Sequence, residues 1–344
     1  MKKIIVFLLF LLCIIPYTNI SQPKAMQVSS QKLYETEEYS GEVPHFFTHQ
    51  LISDIEKAFA PNNCLKNYYN RDLLTNQEFL LFLEEMDKNN YTLIDINDYL
   101  TFNQEGSPQI NSVRVYKGRK PFLLSFDDMS FDSIGNGLND KIVLDENGEL
   151  STITTNNGEV ILSKKNESIC ILEEFIKSHP LFSYNNARAV ICPTGYNGIL
   201  GYRTNKDSYK NRDEEIDECS KIVKKLIDLN YHFACHTYNH INVRYASISE
   251  LKKDLSKYKN EVISLVGTTN IFCFPCGYKT LDENKISILN SFGYNTFFCV
   301  DLNSEYLIEN KSIFLKRMVI DRHTIRENKN EYLKYFDVNK IICN

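Results

Sequence analysis

The chain has 344 residues, with 39 Lys and Arg against 44 Asp and Glu, a formal net charge of −5, 10 Cys and no Trp. This length fits either two domains of ordinary size or one elaborated α/β domain. Hydrophobic residues make up 43% of the chain and charged residues 24%, which is an ordinary globular composition. The mild acidity provides no basic surface, so the composition disfavours a nucleic-acid-binding protein.

The first residues have the pattern of an export signal. Two lysines precede an apolar run from Ile4 to Ile15, which Pro16 ends. This run is shorter than the roughly 20 residues that a membrane-spanning helix needs. We therefore predict a signal peptide or an N-terminal anchor over residues 1–21, followed by a polar linker over residues 22–42. The protein is expected to be secreted or held at the cell surface, with membrane contact only through this segment if it is not cleaved.

Strand-like and helix-like segments alternate through the rest of the chain. Strands are predicted at residues 43–47, 91–96, 122–126, 187–192, 231–235, 271–274 and 296–300. Helices are predicted after the capping boxes that begin at Thr75 and Ser247, over residues 213–230, and from Asp282 to Gly293. This alternation predicts a parallel α/β sheet or barrel over residues 43–344. Hairpin-turn signals between residues 141 and 163 predict a small antiparallel β insertion.

Two adjacent carboxylates, Asp127 and Asp128, close the predicted strand 122–126. Functional groups in α/β proteins gather at the carboxyl ends of strands. Neighbouring residues of an extended chain point to opposite sides, so one carboxylate can bind a metal while the other accepts a proton. A pair of helix-capping or turn residues is the alternative interpretation.

Two histidines, His236 and His240, directly follow the predicted strand 231–235. In a helical turn, histidines four positions apart share one face and can bind a single ion. Thr237 stands where a zincin has its Glu, so a general base has to come from elsewhere, and Asp127 is the candidate.

Two cysteines, Cys273 and Cys276, flank the turn that ends the predicted strand 271–274. Their spacing is compatible with a redox pair or with a zinc site. A buried thiol in an apolar strand is the commoner role for a residue placed like Cys273. The other cysteines are scattered over predicted core strands and helix faces, which favours buried thiols over a disulfide framework.

Together these motifs resemble the NodB-homology polysaccharide deacetylases, carbohydrate esterase family 4. The resemblance rests on Ser-Phe-Asp-Asp ending at Asp128, His-Thr-x-x-His from His236 to His240, and the aromatic-Pro-x-Gly turn from Phe274 to Gly277, and it covers residues 43–326. The segment from Thr194 to Arg203 resembles a divergent subgroup of secreted bacterial proteins. The resemblance implies an irregular (β/α) barrel with a shallow groove for a glycan chain.

The resemblance also implies an activity, the hydrolysis of amide C–N bonds that removes N-acetyl groups from an amino-sugar polymer such as peptidoglycan or an exopolysaccharide. It assigns Asp128, His236 and His240 to a divalent metal, most simply Zn²⁺, and Asp127 to the general base that acts on the metal-activated water. Pro275 and Cys276 would form the turn that contacts the oxyanion and the substrate, and His323 would be the general acid. An acetylated amino-sugar glycan is the implied partner.

Three departures from the family pattern accompany this resemblance. Cys273 stands where the family usually has an Arg that orients the base, Cys276 stands where it has an aromatic residue, and the chain contains no Trp for the fourth motif. Arg203 is a candidate replacement for the missing guanidinium. Two other functions remain open from the sequence, a catalytically silent glycan-binding barrel and a thiol oxidoreductase that uses Cys273 and Cys276.

Overall fold

A computed structural model of the chain describes residues 34–131, 136–156, 158–208 and 211–342. The predicted signal or anchor over residues 1–21 lies outside the described residues. Within the described ranges, no helix is both long and apolar enough to cross a membrane.

The strands, numbered in chain order, are β1 Thr36–Tyr39, β2 His45–Thr48, β3 Tyr91–Leu93, β4 Leu100–Phe102, β5 Pro108–Ile110, β6 Val113–Tyr116, β7 Lys120–Asp127, β8 Lys141–Leu144, β9 Leu150–Asn156, β10 Glu159–Ser163, β11 Val190–Cys192, β12 His232–Phe233, β13 Ile271–Cys273, β14 Thr296–Val300, β15 Tyr306–Glu309 and β16 Ser312–Val319. The helices are α1 Ile55–Ala58, α2 Lys66–Asp72, α3 Asn76–Lys88, α4 Ile96–Tyr99, α5 Ser168–Ser178, α6 Arg212–Asp228, α7 Ile248–Tyr258, α8 Ser264–Val266, α9 Glu283–Ser291, α10 Arg322–Glu327 and α11 Lys329–Tyr332.

The central sheet is a nearly closed barrel of parallel strands in the order β12-β11-β7-β2-β16-β14-β13. An isolated parallel bridge between Cys235 and Phe272 links its two ends. The predicted (β/α) barrel fold is therefore confirmed. The predicted β insertion is also present, as an antiparallel sheet in the order β10-β9-β8.

The alternation of side chains along β7 separates two parts of the core. Phe122, Leu124 and Phe126 lie outside the barrel, where the Phe126 ring packs at 5.9 Å from the ring of Phe79 on α3. Leu123 belongs instead to the cluster that fills the barrel interior. Because side chains alternate with a period of two, Ser125 and Asp127 share the inward face with Leu123.

Several local predictions differ from the structure. Part of the predicted linker, residues 36–39, forms β1 and pairs with β6, so the compact unit begins at Glu35. The predicted strand 91–96 ends at Leu93, because Asp95 accepts a hydrogen bond from the Asn97 N–H and caps the short helix α4. The described cysteines are free, and most of them are buried, in agreement with the sequence interpretation.

Candidate active site

A buried ion pair lies inside the barrel, at the carboxyl end of its strands. Arg317 of β16 donates two hydrogen bonds to Asp127, from Nη1 to Oδ1 at 2.9 Å and from Nη2 to Oδ2 at 2.8 Å. The Arg317 side chain is fully buried and that of Asp127 is 4% exposed. The two planar groups therefore hold each other in one orientation by bidentate contacts.

Two further side chains surround this pair. The Cys273 thiol lies 2.9 Å from Arg317 Nη2 and 3.4 Å from Asp127 Oδ2, and Ser125 Oγ accepts a hydrogen bond of 2.8 Å from Arg317 Nη1. Burial alone would raise the pKa of Asp127, but the charge and hydrogen bonds of Arg317 outweigh burial and lower it well below the usual value. Asp127 is therefore ionised at neutral pH.

The guanidinium that orients Asp127 thus comes from a residue that the sequence interpretation did not consider. The Arg203 hypothesis is wrong, because Arg203 Nη1 donates to the Asn197 carbonyl at 2.7 Å and Nη2 to the Phe131 carbonyl at 2.8 Å. Arg203 therefore stabilises a loop. Arg317 approaches the base from β16, whereas the arginine expected from the family pattern would stand at the position of Cys273 on β13.

The backbone turns away from the barrel wall at Asp128. Its φ of 56° lies in the left-handed region, which redirects the chain immediately after β7. Its Oδ1 atom lies 3.4 Å from Nε2 of His236 and 3.5 Å from Nε2 of His240. The two adjacent carboxylates therefore face different partners, as predicted.

The segment from His236 to His240 is a loop, so the predicted helical turn is wrong. Thr237 and His240 have φ values of 59° and 52°, both in the left-handed region. Asp254 of α7 holds the loop by accepting hydrogen bonds from the backbone N–H groups of Tyr238 at 2.6 Å and Asn239 at 2.9 Å. This anchor brings the two imidazole centroids to 4.9 Å without a helix.

Asp128, His236 and His240 form a three-ligand set whose donor atoms all lie within 4.8 Å of one another. The ring nitrogen Nδ1 of His236 lies 3.0 Å from the carbonyl oxygen of Cys273, so Nδ1–H donates there and Nε2 is left for an ion. Burial would raise the pKa of Asp128, but the two histidines lower it to about 2. Carboxylate and imidazole donors in this arrangement fit a divalent metal cation.

A histidine that the sequence interpretation missed lies beside this set. His49 directly follows β2 and lines a cavity of about 260 Å³ together with Asp128, Tyr68 and Tyr196. Its Nδ1 atom is buried without a hydrogen-bond partner among the described residues. His49 also contributes to the electrostatic environment of both Asp127 and Asp128.

The remaining predicted site residues are Pro275, Cys276 and His323. Pro275 is buried and Cys276 is exposed in a short turn, where Cys276 has a φ of 59°. His323 is exposed on α10 and is not among the residues that line the cavity at Asp128. Cys273 has no exposed surface, so an external disulfide cannot reach it and the oxidoreductase hypothesis loses support.

Residues 183–297 match the model of the polysaccharide deacetylase family. The matched segment contains His236, His240 and Cys273, and the structure brings Asp127 and Asp128 beside them from outside it.

This segment is therefore similar to the polysaccharide deacetylases.

The match supports the predicted enzyme class, a polysaccharide deacetylase.

Several solved structures are similar to this chain. The deacetylase PplD of Streptococcus pyogenes in complex with acetate has a TM-score of 0.48 and 13% identity, with 86% of this chain and 98% of PplD covered. A de-N-acetylase from Aggregatibacter actinomycetemcomitans has a TM-score of 0.47 and 15% identity, with 84% and 99% covered. The deacetylase domain of BpsB from Bordetella bronchiseptica has a TM-score of 0.39 and 11% identity, with 81% and 96% covered. No curated protein sequence matches the chain significantly.

Proposed function

We propose that this protein is an exported, metal-dependent hydrolase that removes N-acetyl groups from an amino-sugar polymer such as peptidoglycan or an exopolysaccharide. The observation that carries the proposal is the convergence of Asp128, His236 and His240 on one point beside the ionised Asp127. Export rests on the apolar run of residues 4–15, and the glycan substrate rests on the match of residues 183–297 to the polysaccharide deacetylase model.

Asp128, His236 and His240 would hold the cation, with Zn²⁺ as the simplest choice for these donors. When bound, a divalent cation supplies a Lewis acid that polarises the amide carbonyl and increases the acidity of water. Asp127 Oδ1 accepts a hydrogen bond from Arg317, which leaves one lone pair of that oxygen for a proton. Asp127 is therefore the general base of the proposal, and Arg317 fixes the direction in which its carboxylate points.

The leaving amine of the substrate needs a proton, and His49 is better placed to donate it than His323. His49 lies in the cavity that contains Asp128, whereas His323 is exposed on α10. The carboxylates of Asp127, Asp128 and Asp321 all lie within the electrostatic range of His49. We therefore replace His323 by His49 as the proposed general acid.

The turn from Pro275 to Gly277 completes the proposed site. The backbone N–H of Cys276 is the candidate donor to the developing oxyanion, and Pro275 fixes the turn that presents it. The Cys276 side chain is small and exposed, so it does not enclose the substrate as a bulky side chain would. A peptide N–H serves as a donor whatever the side chain, so the change from an aromatic residue affects substrate contact more than oxyanion stabilisation.

The test is acetate release from a panel of N-acetylated glycans, comprising chitooligosaccharides, poly-N-acetylglucosamine and peptidoglycan, with the bound metal measured in the same preparations. We expect release by the metal-loaded protein and a large loss in the Asp128→Asn variant. Asp207→Asn, which changes an exposed carboxylate, is the matched control. A loaded and folded protein that releases no acetate from the whole panel would favour the alternative, a catalytically silent glycan-binding barrel.

A further inference from the structure

A second cavity lies at the other end of strand β2 from the proposed active site. Its volume is about 670 Å³, which is within the roughly 300–1,000 Å³ of ligand pockets. Ser304 lines it and accepts a hydrogen bond from the His45 N–H at the amino end of β2, whereas His49 follows the carboxyl end. We call it the tyrosine cleft, because three tyrosines line it. Its lining residues include Tyr39, Glu42, Tyr99, Asn111, Tyr306 and Lys334.

Three tyrosines from separate elements give the cleft its chemical character. Tyr39 belongs to β1, Tyr99 to α4 and Tyr306 to β15. Tyr306 is 47% exposed, whereas Tyr99 is only 7% exposed. A tyrosine ring offers an apolar face together with a hydroxyl that donates and accepts hydrogen bonds.

Two hydroxyl groups in the cleft have no partner. Among the described residues, neither the Tyr99 hydroxyl nor the Tyr306 hydroxyl makes a hydrogen bond. Neither hydroxyl is among the buried polar atoms without a partner, so both are open to the cleft, where a polar ligand or water can bind them. Burial, Tyr306 and Glu42 together raise the pKa of Tyr99 to about 12, so this hydroxyl keeps its proton and can donate it.

The charges of the cleft are already neutralised within the protein. Glu42 lies 3.3 Å from Lys334 and also accepts a hydrogen bond from the Tyr335 hydroxyl, and Glu305 pairs with Lys316 at 3.2 Å. Among the described residues that line the cleft, no cation is left unpaired to attract a phosphate group and no carboxylate is left unpaired to attract a metal. The cleft therefore suits a neutral ligand with many hydroxyl groups.

We propose that the tyrosine cleft is a second saccharide-binding site, separate from the site of deacetylation, which holds a neutral stretch of an amino-sugar chain against the Tyr306 ring. The choice of a saccharide over another neutral polyhydroxylated ligand rests on the proposed function. Sugar hydroxyls and acetamide groups match the unpaired tyrosine hydroxyls and the Asn111 amide, while the apolar faces of sugar rings match the exposed tyrosine ring.

The absence of Trp from the chain allows a site-specific test. Tyr306→Trp and Tyr68→Trp each create a single fluorescent Trp, in the tyrosine cleft and in the cavity at Asp128 respectively. Tyr245→Trp, at a position that is 79% exposed and lines neither cavity, is the control. Each full-length protein is titrated with N-acetylchitotetraose, poly-N-acetylglucosamine fragments and peptidoglycan glycan fragments.

We expect saturable fluorescence changes in the Tyr306→Trp protein with at least one of these glycans, and none in the Tyr245→Trp protein. Adding Asp128→Asn to Tyr306→Trp removes deacetylation and should leave binding at the cleft unchanged. If deacetylation is absent from the parent while the cleft still binds glycan, the proposed function fails and the second site stands. A Tyr306→Trp signal that no glycan of the panel changes would overturn the second site.

A variant without the ring checks the result independently of the fluorophore. Tyr306→Ala should lower the glycan affinity of the cleft by about tenfold, which corresponds to a loss of roughly 1.4 kcal/mol. Its turnover of a small N-acetylated substrate should remain that of the parent, because Tyr306 does not line the cavity at Asp128. An affinity for the cleft that is unchanged in a folded Tyr306→Ala protein, measured by calorimetry in the Asp128→Asn background, would contradict the proposal.

Discussion

Arg317 and Asp127, 190 positions apart in the chain, form a fully buried bidentate ion pair with distances of 2.8 and 2.9 Å. Arg317 lies on β16, while Cys273 occupies the position on β13 from which the resemblance leads one to expect the guanidinium. The Cys273 thiol contacts both members of the pair. The small cysteine side chain thus leaves room for an arginine that enters from another strand.

The first prediction concerns this ion pair. Arg317→Leu should lower kcat by about two to four orders of magnitude, because the general base loses its orientation and a buried carboxylate loses its counter-charge. Arg317→Lys should retain more activity, although a lysine cannot make the bidentate contact. Steady-state kinetics, with bound metal and thermal unfolding measured in parallel, check the result.

A rescue variant distinguishes a positioning role from a purely structural one. The double variant Cys273→Arg with Arg317→Ser moves the guanidinium to the family position and should recover part of the kcat lost in Arg317→Ser alone. If Arg317→Leu folds, binds metal and retains the kcat of the parent, Arg317 does not orient the base.

The second prediction separates the two adjacent carboxylates by their roles. Asp128→Asn should lower metal affinity together with activity, because Asp128 supplies the anionic member of the ligand set. The Asp127→Asn variant should retain the bound metal, because Asp127 is not a metal ligand. Its kcat should fall by about two to four orders of magnitude, because the proton acceptor is removed. Elemental analysis and kinetics of both variants provide the check. Equal loss of metal in the two variants would contradict this division of roles.

The sequence predicts where individual strands end better than it predicts how the strands are ordered around the barrel. The run of residues 122–126 places Asp127 and Asp128 correctly, because a buried parallel strand has a continuous apolar pattern that local sequence reveals. Strand β16 was not predicted, since Lys316 and Arg317 interrupt its apolar pattern. The role of Arg317 depends on the order of strands around the barrel, which no local pattern contains.

The loop from His236 to His240 and the residue His49 were missed by the sequence analysis for two different reasons. The spacing of His236 and His240 also fits a helix, and the left-handed conformations that replace the helix depend on hydrogen bonds to the distant Asp254. His49 could have been found from the sequence, because it follows the predicted strand 43–47 as Asp127 follows its own strand. The same rule about carboxyl ends applies to both residues.

The third prediction tests His49 as the proton donor. His49→Gln should lower deacetylation of an N-acetyl substrate by about two to four orders of magnitude, because an amine leaves poorly without a proton. His323→Gln, at an exposed position outside the cavity, should leave kcat close to that of the parent.

An ester substrate provides the mechanistic control for His49. An aryl acetate has a leaving group that needs little protonation, so its hydrolysis should depend much less on His49 than hydrolysis of the amide does. Kinetics of both variants on both substrates give the answer. Equal losses on amide and ester in His49→Gln, or a large loss in His323→Gln, would argue against this assignment.

The fourth prediction concerns Glu167, whose buried carboxylate accepts hydrogen bonds from the Leu51 N–H, the Ser168 N–H and the Asn139 amide. These contacts connect α5 to the segment that carries His49. Burial raises the pKa of Glu167 from 4.5 to about 7 against the effect of these hydrogen bonds.

Because the pKa of Glu167 is higher in the folded than in the unfolded state, its contribution to stability is fully present below about pH 4.5 and is lost as the pH rises through about 7. The full difference corresponds to roughly 3 kcal/mol. Urea unfolding at a series of pH values should show this fall in the free energy of unfolding in the parent and in the exposed-residue control Glu218→Gln. In Glu167→Gln the fall between pH 4.5 and 7 should be smaller by up to that amount, whatever the absolute stability of the variant. A pH dependence that is the same in all three proteins would show that Glu167 is not the group that titrates.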